Sequence, residues 1–211
     1  VNITSWGAGP ATINAGNSFG IKATNVGGID ISNLHLIGSG PTSTDSTGLY
    51  TNTQDGVGFY ATQGIKQNNV SINNVSVAGF GQNGINFQGT TGQSGFNNIS
   101  ITNALLEKNQ VAGLSVSGDY NNANRNANTN VYVGHVTAQN NYGRANRPNE
   151  GNSGNGIVLG QTNGAVIERC VQTGNGTSYV STQAGSFGIW AWDSNKVTIQ
   201  YSESYRNGTA G

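Results

Sequence analysis

The chain has 211 residues, 33 of them glycine, with asparagine nearly as frequent, while Asp, Glu, Lys and Arg together supply only 9%, against about 25% in an ordinary domain. Nine basic and nine acidic side chains leave a formal net charge of zero. No basic stripe can therefore neutralise phosphates, which argues against nucleic acid as a partner, and no apolar run approaches the roughly 20 residues that span a bilayer.

Polar, weakly charged chains are often disordered, but here Val, Ile, Leu and Phe recur at regular positions. The chain opens on Val1-Asn2-Ile3, already strand-like. A three-part phrase then repeats. Its opening part is Gly20-Ile21-Lys22-Ala23, followed by Ile29-Asp30-Ile31 and Leu34-His35-Leu36. The next occurrence reads Gly58-Phe59-Tyr60-Ala61, Val70-Ser71-Ile72, Val75-Ser76-Val77, and the third Gly84-Ile85-Asn86-Phe87, Ile99-Ser100-Ile101, Ala104-Leu105-Leu106. Gly113-Leu114-Ser115-Val116 leads to Val131-Tyr132-Val133 and Val136-Thr137-Ala138, and Gly156-Ile157-Val158-Leu159 to Ala165-Val166-Ile167 and Cys170-Val171-Gln172. The last phrase is Gly188-Ile189-Trp190-Ala191, Val197-Thr198-Ile199 and Ser202-Glu203-Ser204.

Each part alternates apolar and polar residues with period two, the pattern of a half-buried strand. Three short strands per repeat predict an all-β right-handed parallel β-helix of about six to seven coils with uncapped ends, because one coil can bury its apolar row only by stacking on the next. Residues 1–211 read as a single such domain and as an excerpt of a longer chain. Gly before each first strand is expected at a corner needing positive φ, and Asn33, Asn74 and Asn103 at another, where Asn tolerates the left-handed region and could stack along the axis. An antiparallel sandwich would place Asn-Gly loops between longer strands. Here Asn83-Gly84 and Asn155-Gly156 instead precede short strands at fixed phase.

Insertions at 38–57, 140–155 and 173–187 precede first strands, and 88–98 and 118–130 follow them, so long loops flank the first-strand sheet and make it the floor of a groove. Alternation places Lys22, Tyr60, Asn86, Ser115, Val158 and Trp190 outward on this floor, with Thr24, Thr62, Gln88, Ser117, Gly160 and Trp192 in the next outward row. Exposed indoles call for a covering partner, either a flat sugar face or the loop at 173–187. Trp190, Trp192, Tyr60, Asn86 and Lys22 are the expected substrate-binding residues. Among the few charges near the groove, Asp193, Arg144 and Arg147 are the candidate catalytic groups, with Asp119, Arg125 and Glu150 in the flanking loops. Tethering of a loop competes with catalysis for the two arginines.

No metal site is expected, since His35 and His135 lie far apart and away from the groove. Glu168 and Glu203 read as solvated charges on the far side, and Cys170, the only cysteine, as a small buried core residue. Asn-x-Ser/Thr sequons at Asn2, Asn69, Asn74, Asn98, Asn175 and Asn207 are mostly a product of composition.

Ile31-Ser32-Asn33-Leu34, Gly156-Ile157-Val158-Leu159-Gly160, Gly188-Ile189-Trp190-Ala191-Trp192-Asp193-Ser194-Asn195 and Val197-Thr198-Ile199-Gln200-Tyr201 through Ser204-Tyr205-Arg206-Asn207 resemble the pectin-lyase-like superfamily, in particular bacterial secreted right-handed β-helix repeat proteins. The resemblance implies an extracellular or cell-surface protein whose partner is a polysaccharide or glycan. Its active members are lyases, hydrolases and epimerases, so the implied activity is a polysaccharide lyase, with Ca²⁺ beside the cleavage site, or a glycoside hydrolase. A non-catalytic glycan-binding module, or an adhesin or structural stalk that self-associates end to end through open coils, is the alternative, favoured by the scarcity of paired carboxylates.

Overall fold

The computed structural model describes residues 1–119, 126–144, 151–178 and 185–208, and every regular element among them is a strand. Strands β1 (Asn2–Thr4) and β2 (Ala11–Gly16) form a partial opening turn. Six coils follow. The first three are β3 (Ile21–Thr24) with β4 (Ile29–Gly38), β5 (Val57–Ala61) with β6 (Lys66–Ala78), and β7 (Asn83–Gly89) with β8 (Gly95–Glu107). The fourth contains β9 (Ala112–Ser117), β10 (Asn128–Gly134) and β11 (Thr137–Gln139), and the fifth β12 (Asn155–Gly160), β13 (Thr162–Glu168) and β14 (Val171–Thr173). The sixth holds β15 (Ile189–Trp192), β16 (Asn195–Gln200) and β17 (Glu203–Tyr205).

The named strands pair in parallel, each with its counterpart one coil away. Strands β15-β12-β9-β7-β5-β3 make one sheet, and the second and third segments of the coils make the other. The expected parallel β-solenoid is therefore present, with about six turns. Its interior is filled by the inward residues of the three rows. Phe59 and Phe87 stack with centroids 4.8 Å apart and planes 4° from parallel, which is the spacing of neighbouring strands, and Phe96 meets Phe87 edge-on at 5.2 Å.

Two of the corners in each coil are built for different physical reasons. Between the second and third segments, Asn33, Asn74, Asn103, His135, Arg169 and Tyr201 occupy one column with φ of 52–56°, the left-handed region that Asn enters at least cost. Asn74 Nδ2 donates to Asn33 Oδ1 (2.8 Å) along this column. After the third segment a buried column forms instead: Asn109, Asn141, Asn175 and Asn207. Asn141 Oδ1 accepts from the Asn109 backbone N–H and Nδ2 (both 3.1 Å), and Asn175 Oδ1 and Asn207 Oδ1 receive the same pair from the coil before. The sequons at Asn175 and Asn207 are thus buried ladder members.

The glycines that open the first strands are Gly20, Gly56, Gly84, Gly113, Gly156 and Gly188. None has the positive φ expected for it. The first five are glycine because the backbone of the next coil presses on them: a Cβ on Gly84 would lie 2.7 Å from the Gly113 carbonyl oxygen, and one on Gly113 2.9 Å from that of Gly156, while one on Gly188 would meet the Ser204 side chain. In the second coil the column falls on Gly56, since Val57, not Phe59, pairs with Ile21 and Ile85. The phase read from Gly58 is two residues late.

Candidate functional site

That shift rearranges the groove floor. The first outward row is Lys22, Gly58, Asn86, Ser115, Val158 and Trp190, and the second Thr24, Tyr60, Gln88, Ser117, Gly160 and Trp192. Tyr60 thus belongs to the second row. Gly58 opens a gap into which Tyr60 leans, since a Cβ there would meet its ring at 2.8 Å. Six strands at about 4.8 Å give a floor about 24 Å long.

Over the middle of this floor lies a cleft of about 430 Å³, lined among others by Phe19, Asp55, Tyr60, Asn83, Asn86 and Ser115. Asp55, set directly before the column glycine Gly56, is only 2% exposed. Its carboxylate is saturated. Oδ1 accepts from Asn83 N and Nδ2 (both 2.9 Å), and Oδ2 accepts from Asn86 Nδ2 (2.9 Å) and the Tyr60 hydroxyl. A carboxylate offers about four acceptor positions, so these donors use all of them. Burial, and then the Asp55 charge and hydrogen bond, hold the Tyr60 hydroxyl protonated well above the usual phenol range. Above the cleft, Lys22 Nζ lies 4.7 Å from the Phe19 ring centre and 5.6 Å from that of Tyr60, within reach of both π faces, and the two rings meet edge-on at 6.2 Å.

An aromatic group closes the other end of the floor. Phe187 packs on Trp190 at 5.1 Å, and Trp190 on Trp192 at 6.2 Å. Both indoles are half-buried. The Trp192 ring lies flat on Gly160 of the coil before, where a Cβ would come within 2.5 Å of it. The two expected fates of the tryptophans are therefore combined: Phe187 of the preceding loop covers part of Trp190, and part of each ring stays open. Val158, expected outward, is buried at 9% exposure.

Of the candidate catalytic residues, Arg144 and Asp193 do not line this cleft. Arg144 lines a separate one with Tyr50, Gly81 and Gln110, and its Nη2 donates to the Gly81 carbonyl (3.2 Å). The loop-tethering reading of this arginine fits that bond. Asp193 is exposed, just after β15 at the edge of the sheet, with φ of 45°. Arg147, Arg125 and Glu150 lie outside the described residues. Asp55 is the residue that reading the sequence missed. Its signal was the shared phase of Asp55-Gly56, Asn83-Gly84 and Asn155-Gly156, visible once Gly56 is placed in the glycine column.

The cleft does not fit Ca²⁺, which takes six to eight oxygen ligands, because its carboxylate is occupied by N–H and O–H donors. No three of His, Cys, Asp and Glu converge elsewhere among the described residues. Nor, among the described residues, does a second carboxylate line the cleft, as paired acid–base hydrolysis of a glycoside requires. Compared with known proteins, the chain matches no family model, no curated protein and no solved structure.

Proposed function

We propose that this protein is an extracellular carbohydrate-binding β-solenoid that holds a glycan along its first-strand sheet without cleaving it. The observation that carries this reading is the floor itself, a cleft of amides and hydroxyls with aromatic faces at either end, Phe19 and Tyr60 on one side and Phe187, Trp190 and Trp192 on the other. Rings give sugar faces an apolar surface to stack on, and a few fixed polar groups set orientation. Binding without turnover is favoured over hydrolysis because the one carboxylate among the described lining residues already has every acceptor position filled. Kinship with the pectin-lyase-like proteins is part of the proposal, supported by the quoted repeat phrases and the parallel coils. Secretion is proposed on the neutral, amide-rich composition.

Calorimetric titration with a panel of oligosaccharides tests this. At least one member should bind, and Trp190→Ala and Trp192→Ala should each weaken it about tenfold, equivalent to about 1.4 kcal/mol, with the strand signal in circular dichroism unchanged. A panel without a single binder, or new reducing ends appearing during incubation, would overturn it.

A further inference from the structure

The contacts of Asp55 also say which kind of sugar unit the cleft can take, an inference that rests on the glycan-binding reading above. Three cleft side chains turn hydrogen-bond donors inward, away from a ligand. The Tyr60 hydroxyl spends its one hydrogen on Asp55, and Asn86 Nδ2 and Asn83 Nδ2 donate to the same carboxylate. These bonds fix the orientation of both amides, since only the nitrogen can donate to a carboxylate. Each amide keeps a second Nδ2 hydrogen and its Oδ1, while the Tyr60 hydroxyl keeps only its oxygen. Asn83 is 7% exposed, and its Oδ1 is buried without a protein partner, out of a ligand's reach. Asn86, 6% exposed, has Oδ1 as its remaining acceptor.

The charge of Asp55 is what discriminates between ligands. Asp55 is a buried anion whose four hydrogen-bond donors are all neutral groups. Lys22 is exposed and rests on the outer faces of Phe19 and Tyr60, where water screens it far more than the cleft screens Asp55. A ligand carboxylate is acceptor-only. Seated here it would face the like charge of Asp55, with no Lys or Arg among the described lining residues to offset it, and a buried charge without a counter-charge is expensive. A neutral sugar hydroxyl avoids that repulsion and can both donate and accept. Farther along the floor, Gln88, Ser115 and Ser117 donate and accept alike, as hydroxyls do.

We infer that the Asp55 cleft selects a carboxylate-free sugar unit and rejects a uronate through the buried Asp55 charge.

The test compares one polyuronate oligosaccharide with the same oligosaccharide after its carboxyl groups are reduced to primary alcohols, titrated against the whole chain. The reduced form should bind at least tenfold more tightly. Asp55→Asn, which removes the charge while keeping an oxygen for Asn83, should shrink that ratio to within about threefold. Equal or tighter binding of the parent uronate would overturn the selectivity while leaving the groove as a glycan site. An unchanged ratio in a folded Asp55→Asn protein would take the selectivity away from Asp55. Failure of both oligosaccharides, and of the wider panel, would remove the binding reading itself. The wild-type comparison decides the matter even if Asp55→Asn does not fold.

Discussion

Gln172 occupies the inward position that Leu36, Val77, Leu106 and Ala138 hold in the preceding coils. It is fully buried, and neither Nε2 nor Oε1 has a protein hydrogen-bond partner. An unpaired buried amide costs about 1–3 kcal/mol, and Met has the same unbranched reach without that cost. Gln172→Met should therefore stabilise the fold by about 1–3 kcal/mol, at roughly 2–4 °C of Tm for each kcal/mol in a chain of this size. Thermal unfolding measures this, and a lower Tm would show that the amide is satisfied. Its neighbour Cys170 conforms to its sequence reading. It is 1% exposed, and burial pushes its thiol upward, as for a small core residue.

At the scale of the element, the corners differ in what they contribute. Asn141 donates to the Leu106 carbonyl (3.1 Å) and to Asn175 Oδ1 (2.8 Å), while its own Oδ1 takes the Asn109 N–H. Asn141→Leu would orphan the Leu106 carbonyl and the Asn109 N–H inside the coil. At about 1–3 kcal/mol for each buried group, the expected loss is about 3 kcal/mol or more. Asn74→Gly, at an exposed corner, keeps the left-handed backbone available and gives up one surface hydrogen bond, so it should cost under about 1 kcal/mol. Urea unfolding of the two variants checks the contrast, and equal losses would refute it. The strands were legible in the sequence because an apolar row needs period two. The buried Asn column was not, although each member sits three residues beyond the last inward residue of a third segment: Leu106 to Asn109, Ala138 to Asn141, Gln172 to Asn175, Ser204 to Asn207. Loop insertions of unequal length after these residues hide the repeat. The cleft was lost for a related reason. A one-residue slip turns a strand inside out, but a two-residue slip leaves Val57 and Phe59 both inward, so hydrophobic pattern cannot separate Gly56 from Gly58. Only the spatial register puts Asp55 beside Asn83. The groove's aromatic end was legible, because Trp190 and Trp192 stand two apart on one short strand.

For the whole molecule, ionic contacts are a minor part of stability. With zero formal charge and a part-exposed ion pair such as Lys108–Glu107 (3.3 Å), little is at stake in screening. The ionisations that matter lie at the extremes of pH. Tyr50 and Tyr60 are both held protonated well above the ordinary phenol, in each case first by burial. Tyr132 is shifted the same way, first by its hydrogen bond to Glu168. A phenol whose folded value is raised binds its proton more tightly folded than unfolded. Its contribution is therefore complete below the unfolded value of about 10 and declines as pH rises through the folded one. Glu168 works in the opposite sense. Hydrogen bonds from Gln200 and Tyr132 hold its carboxyl below the usual range, so its contribution is present above about pH 4.3 and is lost as pH falls through the folded value. The urea midpoint should accordingly be flat between about pH 6 and 9 and fall above about 10. Replacing Tyr50 and Tyr60 together by Phe should flatten the alkaline limb and leave the acid limb in place. If the double variant instead loses stability above pH 10 as steeply as the parent, the two buried phenols are not what ties this solenoid to its protons.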